Sequence, residues 1–118
     1  MRFANVLVLL VAILHLYFLV LEMFLWTKPT GRKAFGLTES FANETRALAA
    51  NQGLYNGFLS AGLLWGAMLG ADGFPQKVFF LSCVIVAGIF GAATASRKIL
   101  WVQAMPAIIT LAVVWATH

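Results

Sequence analysis

Charge and cysteine are scarce in this 118-residue sequence, and each scarcity excludes a class of protein. Charged residues make up 10% of the chain and hydrophobic residues 62%, a balance that excludes an ordinary soluble domain. A single cysteine, Cys83, excludes an intrachain disulfide and a metal site built from several cysteines. The sequence also lacks a glycine-rich phosphate loop and a nucleophile elbow. We therefore expect an apolar protein that carries no cofactor and no metal.

The apolar residues form four blocks, at about 4–26, 49–70, 78–96 and 99–117. Each block has about 20 residues, which is enough for a helix to cross the ~30 Å hydrocarbon core of a bilayer. We therefore predict an all-α fold, in which residues 1–118 form one domain, a four-helix transmembrane bundle with a longer cytoplasmic loop at 27–48. A cleaved signal peptide is the alternative for the first block, but the residues around Glu22 offer no small-residue cleavage site.

Basic residues flank these blocks unequally, and the inequality predicts an orientation in the membrane. Arg2 and Lys77 lie on one side, and six basic residues lie in the first and third loops on the other. We therefore expect these two loops in the cytoplasm and both termini outside it. The net charge of +4 comes from basic residues that flank the apolar blocks, as the topology requires. We therefore expect membrane lipids as partners and no nucleic acid. The six basic residues are Lys28, Arg32, Lys33, Arg46, Arg97 and Lys98.

Local signals predict where the helices begin, end and bend. Pro29 and nearby glycines end the first helix. Thr38 is a suitable N-cap for the next, with Glu39 in its first turn. Nothing obliges that helix to stop before Leu69, so we expect it to be continuous from residue 38 to 69. In the last block Pro106 lacks the N–H that would bond the Val102 carbonyl, so we expect a kink there.

Small residues recur at helical spacing along the second block. One stripe contains Gly53 and Gly57, and a second contains Gly62, Gly66 and Gly70. Small residues at this spacing let two helix backbones approach closely. We expect one stripe to pack inside the bundle and the other, Gly62 to Gly70, to join two copies into a homo-oligomer. Internal packing of both stripes is the alternative.

Two ionisable residues, His15 and Glu22, lie inside the first apolar block. They are seven residues apart, so both project from nearly the same helix face, about 10 Å apart along the axis. A charged carboxylate in hydrocarbon costs roughly 3 kcal/mol or more, so such groups usually face a bundle interior or a wet cavity. This separation is too large for both side chains to bind one metal ion on a straight helix.

Polar residues of the other blocks are predicted to meet Glu22 at the cytoplasmic half of the bundle. His15 and Ser60 would lie deeper, and the outer halves of the later blocks are almost wholly apolar. The arrangement implied is a cup, which is closed on the outer side. Its predicted ligand-binding residues are Asn51, Gln52, Tyr55, Asn56 and Gln103.

The chemistry of this cup has several interpretations. Glu22 is predicted to act as a general base or a cation partner, and His15, whose ordinary pKa is near neutrality, as an acid or proton relay. The amides and the tyrosine would orient a ligand through hydrogen bonds. Alternatively the polar residues simply bond one another across helices, and Glu22 forms a salt bridge with Arg97 or Arg46.

Four strings of the sequence resemble a known family: His15-Leu-Tyr17, Leu-Glu22-Met-Phe, Gly31-Arg-Lys-x-Phe-Gly36 and Leu48-Ala-Ala-Asn-Gln-Gly-Leu-Tyr-Asn-Gly57. They are similar to those of small four-helix integral membrane proteins that are widespread in bacteria and classified as a domain of unknown function. The resemblance covers essentially the whole chain and implies a bacterial inner membrane location. It implies no activity, substrate or catalytic residue.

Three functions follow from these residues. The first is binding of a small amphiphilic or apolar molecule in a polar pocket that is open to the cytoplasmic side. If the protein is an enzyme, it transforms this molecule by proton transfer. The second is proton-coupled transport by a homodimer. The chain is similar in size to small multidrug transporters, but its motif around Glu22 and its distribution of basic residues differ from theirs. The third is a non-catalytic scaffold subunit that associates through its glycine stripes.

Overall fold

A computed structural model describes residues 2–118, and this part of the chain is mainly helical, without β-strands. The all-α fold class is thereby confirmed. A short 3₁₀ helix, Gly70–Gly73, and a π-helical segment, Leu100–Ala104, precede the last two α-helices. The α-helices are α1 (Arg2–Met23), α2 (Pro29–Phe35), α3 (Glu39–Glu44), α4 (Arg46–Met68), α5 (Phe74–Thr94) and α6 (Met105–Ala116).

Within residues 2–118, two helical stretches are long and apolar enough to cross a membrane, judged by length and composition: Arg2–Met23 and Gly70–Thr94. The stretch Leu100–Ala116 is also apolar but shorter. These stretches indicate association with a membrane. The number of spans and their orientation stay predictions, as does the single domain.

The connection between the first two predicted spans differs from expectation. The helix α1 ends at Met23, so Trp26 lies beyond it, and the predicted loop 27–48 contains α2 and α3. Thr38 is the N-cap of α3, as predicted, and its Oγ1 accepts from the Phe41 N–H at 3.1 Å. The continuous helix predicted from 38 to 69 is interrupted at Thr45. The Thr45 hydroxyl donates to the Phe41 carbonyl at 2.7 Å, a contact that bends helices.

The described residues divide into two compact units, and α1 and α4 contribute residues to both. One unit is Ile13–Ser60. In this unit α2 ends at Gly36, whose φ of 65° is the left-handed conformation that glycine adopts without strain. Gly31 of α2 is buried against the Leu25 carbonyl, where a side chain would collide with backbone. The segment after α1 is therefore folded back tightly and does not extend as an open loop.

The other unit comprises the chain up to Ala12 together with Ala61–His118. Here α5 packs against the π-helical segment and α6, and Gly88 lies so close to Ala104 that an added Cβ would be 2.8 Å from its backbone nitrogen. Lys77, which we counted among the exposed flanking charges, is completely buried, and its Nζ donates to the Gly70 carbonyl at 2.7 Å. Its ammonium therefore satisfies a carbonyl in the turn between α4 and α5.

Pro106 explains the irregular start of the last helix. In an α-helix the N–H of residue 106 would bond the Val102 carbonyl, and proline has no N–H to donate. The backbone forms the π-helical segment just before this point, and the Met105 N–H bonds Leu100, five residues back. π-turns of this kind re-route helix hydrogen bonds and are one recognised cause of helix distortion.

Candidate functional site

Glu22 on α1 and Asn56 on α4 are joined directly by a hydrogen bond. The Asn56 Nδ2 donates to Glu22 Oε1 at 2.5 Å. Asn56 is buried, with 6% of its surface exposed, whereas Glu22 is half-buried. The partner of the carboxylate is therefore an amide and not Arg46, which is exposed. The pair joins the carboxylate predicted as the centre of the site to one of the residues predicted to bind ligand.

Two glycines of α4 allow α1 to come close enough for this bond. A Cβ added to Gly53 would lie 3.2 Å from the Glu22 Cβ, and one added to Gly57 would lie 2.8 Å from the Leu19 Cδ1. Both distances are shorter than ordinary van der Waals contacts. The stripe predicted to pack inside the bundle therefore packs against α1, and close approach of small residues is what brings interhelical polar groups into range.

His15 occupies a second level of the same unit. Its side chain is completely buried, and its ring lies edge-on to Phe18, with 5.3 Å between ring centroids. The helical rise puts it about 10 Å from Glu22 along α1. Ser60 of α4 is buried as well. The unit therefore holds a half-buried carboxylate at one level and a buried imidazole at another, in agreement with two separate groups and not an adjacent acid–base pair.

The remaining predicted ligand residues of α4 lie on other faces. Asn51, Gln52 and Tyr55 are exposed, and the Asn51 Nδ2 donates to the Tyr55 hydroxyl at 3.0 Å. At about 100° per residue, Asn51 and Tyr55 project from the side of α4 opposite Gly53, which faces α1. Gln52 lies at the edge, one turn before Asn56. The structure therefore brings Asn56 to Glu22 and directs Asn51 and Tyr55 away from α1.

Gln103 and the second glycine stripe belong to the other unit. Gln103 is half-buried in the π-helical segment. A Cβ on Gly62 would collide with the ring of Phe80, and one on Gly66 would lie 2.9 Å from the Lys77 Cγ. Helix α5 thus covers these two glycines within the chain, which favours the alternative of internal packing for this stripe. Gly70 adopts a φ of 61° in the turn before α5. A homo-oligomer stays a prediction.

The sequence did not predict the contacts of Trp26, which hold together the segment after α1. The Trp26 indole donates to the Thr45 Oγ1 at 2.9 Å, and its ring lies 5.0 Å from that of Phe35. We call residues 24–48 the cap. The available signal was the string from Gly31 to Gly36, in which both glycines have backbone roles and Phe35 contacts Trp26. The cap begins two residues after Glu22, immediately beyond the end of α1.

Chemically, the pair of Glu22 and Asn56 offers oxygen acceptors at the margin of an apolar helix. A carboxylate has about four lone-pair positions, and Asn56 occupies one of them. The Asn56 side-chain oxygen is a further acceptor in this geometry. Among residues 2–118 no group of three or more His, Cys, Asp or Glu side chains is positioned to hold a metal ion. The site is therefore suited to a donor-bearing molecule or a proton.

Comparison with known proteins gives a family. The family model described as "Protein of unknown function (DUF1304)" matches residues 9–115. An uncharacterized protein YpaA of Lactococcus lactis subsp. lactis (strain IL1403) is 30% identical over 108 residues, which cover 90% of this chain and 91% of that protein. No solved structure matches the chain. The resemblance read from the sequence motifs is thereby confirmed, and the chain belongs to this family of proteins of unknown function.

Proposed function

We propose that the protein is a multi-pass integral membrane protein in which Glu22 and Asn56 hold a small amphiphilic molecule. The observation that carries the proposal is the hydrogen bond between these residues, at 2.5 Å, which joins the one carboxylate of α1 to a buried amide of α4. A carboxylate is not needed for close packing of α1 on α4, because Gly53 and Gly57 already provide it. An ionisable residue within such a helix is by default a functional one.

The proposed topology has four spans, formed by α1, α4, α5 and the π-helical segment with α6. Both termini would lie outside the cytoplasm of a bacterial inner membrane. The distribution of basic residues supports this orientation. Glu22 would then lie near the cytoplasmic interface, next to the cap.

The acceptors at the site define the head group of the ligand. An ammonium or hydroxyl group would donate to the Glu22 carboxylate and to the Asn56 oxygen. Leu19 and Met23 of α1 approach the two glycines of α4. They provide apolar surface for the rest of the ligand. If the bound molecule is transformed, Glu22 is the base that accepts its proton, and His15 is too deep to contact the same atom.

A binding titration tests the proposal. Dodecylamine is added to the protein in phosphatidylcholine bilayer discs, and dodecanoate, whose charge repels the carboxylate, serves as the comparison ligand. We expect Glu22→Gln to weaken dodecylamine binding at least tenfold. The matched control is Glu44→Gln, which removes an exposed carboxylate of α3. Equal dodecylamine affinity in wild type and Glu22→Gln, or equal affinity for the two ligands, would contradict the proposal.

Proton-coupled transport is the second candidate, and buried His15 favours it. A fully buried imidazole on the same helix as Glu22 is a second ionisable side chain inside the protein. Proteoliposomes with an imposed proton gradient should then accumulate dodecylamine, and His15→Ala should abolish accumulation while leaving equilibrium binding intact. Binding without gradient-dependent flux would exclude transport of this ligand and leave the binding site in place.

A further inference from the structure

The cap exposes large apolar side chains outside the two stretches that are long enough to cross a membrane. Phe24 keeps 65% of its surface exposed and Leu48 keeps 73%. Phe35 and Phe41 are exposed as well. Several large apolar side chains left exposed within one short segment are typical of an interaction surface.

Basic side chains accompany this apolar surface. Lys28 and Lys33 are exposed at the two ends of α2, which contains no acidic residue. The two acidic residues of the cap are engaged within it. The Glu39 carboxylate lies 3.8 Å from the Arg32 guanidinium, and the Glu44 carboxylate accepts from Ser40 at 3.4 Å. The cap contains four basic residues and two acidic ones, so its net charge is positive.

The cap is also held in shape. Gly31 seats α2 against the backbone at Leu25, and the Trp26 indole bonds Thr45. On α2 the residue opposite buried Gly31 is Lys33, which therefore projects away from the rest of the cap. A segment that is held in shape and exposes both lysines and phenylalanines matches the requirements of an anionic bilayer surface, which attracts basic side chains and accepts apolar ones at the headgroup boundary.

We propose that the cap binds anionic phospholipids. Lys28 and Lys33 contact the phosphate groups, and Phe24 and Phe41 enter the boundary between headgroups and acyl chains. Charge complementarity selects this partner over a neutral bilayer, because phosphatidylcholine has the same acyl chains but no net negative charge. The proposal does not depend on a ligand at Glu22.

Lipid binding to the purified full-length protein in detergent tests the proposal. Dioleoylphosphatidylglycerol and dioleoylphosphatidylcholine are added in equal amounts, and bound lipids are counted by native mass spectrometry. We expect the wild type to prefer phosphatidylglycerol. The double variant Lys28→Gln/Lys33→Gln should lower that preference about 25-fold, since each basic residue near an anionic surface contributes on the order of fivefold. The charge-matched control Arg97→Gln/Lys98→Gln should keep the preference, as should Lys28→Arg/Lys33→Arg.

Several outcomes would overturn the proposal. A wild type that binds both lipids equally has no anionic preference, and its exposed cap would then serve a protein partner. A control double variant that loses as much preference as Lys28→Gln/Lys33→Gln would show a nonspecific effect of net charge. Because both lysines are exposed, their glutamine variants should keep the wild-type circular dichroism spectrum and melting temperature. Glu22→Gln should leave the preference for phosphatidylglycerol unchanged. The lipid-binding proposal for the cap and the ligand-binding proposal for Glu22 can therefore fail independently of each other.

Discussion

At the scale of single residues, the contact between Glu22 and Asn56 is the most informative in the molecule. The sequence identified Glu22 as an ionisable residue in an apolar helix and assigned Asn56 to the same depth. It did not distinguish Asn56 from Asn51 and Tyr55, because this depends on the rotation of α4 about its axis. The glycines resolve the rotation: Gly53 and Gly57 must face α1, and Asn56 lies beside them while the other two project from the opposite side.

The Glu22–Asn56 bond should be measurable as a coupling energy. Double-mutant cycles across transmembrane helices give about 0.6 kcal/mol on average and up to about 1.7 kcal/mol. We expect the cycle built from Glu22→Ala and Asn56→Ala to give a coupling free energy of unfolding within this range. Unfolding with sodium dodecyl sulfate, followed by circular dichroism, provides the measurement. Additive effects of the two substitutions would mean that the hydrogen bond contributes nothing to stability.

Glu22→Gln should behave differently from Glu22→Ala. The glutamine side-chain oxygen still accepts from Asn56, so this variant keeps the hydrogen bond and loses only the negative charge. We therefore expect its unfolding free energy to stay within about 1 kcal/mol of wild type, consistent with the modest net value of one hydrogen bond. This property makes Glu22→Gln the appropriate variant for testing ligand binding without disturbing the fold.

At the scale of helices, the apolar blocks predicted the positions of α1, α4 and α5, because hydrophobic length is a local property. The interruption at Thr45 was not predictable in the same way. Thr45 is the C-cap of α3, and its hydroxyl accepts a hydrogen bond from the Trp26 indole, 19 positions earlier in the chain. Such a contact depends on the path of the whole cap. A distortion at Pro106 was predictable, because the missing N–H is also a local property. Its form, a π-helical segment, was not predictable.

Two glycines at helix connections should respond differently to alanine. Gly73 lies against the Gly66 carbonyl, so a Cβ there would collide with backbone that cannot move without separating α4 from α5. Gly36 has open space around it and a φ of 65°, so its alanine variant bears mainly the left-handed strain of about 1–2 kcal/mol. We expect Gly73→Ala to lower the melting temperature more than Gly36→Ala. The opposite order would contradict the close approach at Gly66.

At the scale of the whole molecule, membrane association is indicated by two apolar helical stretches, and the proposed topology extends this to four spans. The fold class was predictable because the apolar composition extends along the chain, and the family because the motif strings between His15 and Gly57 lie within the residues that its model matches. The burial of Lys77 was not predictable, since a lysine beside an apolar block normally indicates an exposed residue at the end of a membrane span. Its bond to the Gly70 carbonyl depends on the turn between α4 and α5.

Chemical labelling of single cysteines tests the topology. Cys83 is first replaced by alanine, and one cysteine is then introduced at Lys33, Asp72, Lys98 or Thr117. With both termini outside, a membrane-impermeant maleimide should label Asp72→Cys and Thr117→Cys on intact cells. Lys33→Cys and Lys98→Cys should react only after the membrane is permeabilised. Labelling of all four positions on intact cells, or the reversed pattern, would refute the proposed orientation.

The most direct test of the Glu22 site is the set of small molecules that the protein retains from its native membrane. Wild type, Glu22→Gln and Glu44→Gln are purified in parallel, and their bound molecules are extracted and identified by mass spectrometry. We predict at least one amphiphilic species with an ammonium or hydroxyl group that wild type and Glu44→Gln retain and Glu22→Gln lacks. Identical sets of retained molecules in all three proteins would contradict a ligand-binding role and leave Glu22 as a structural partner of Asn56.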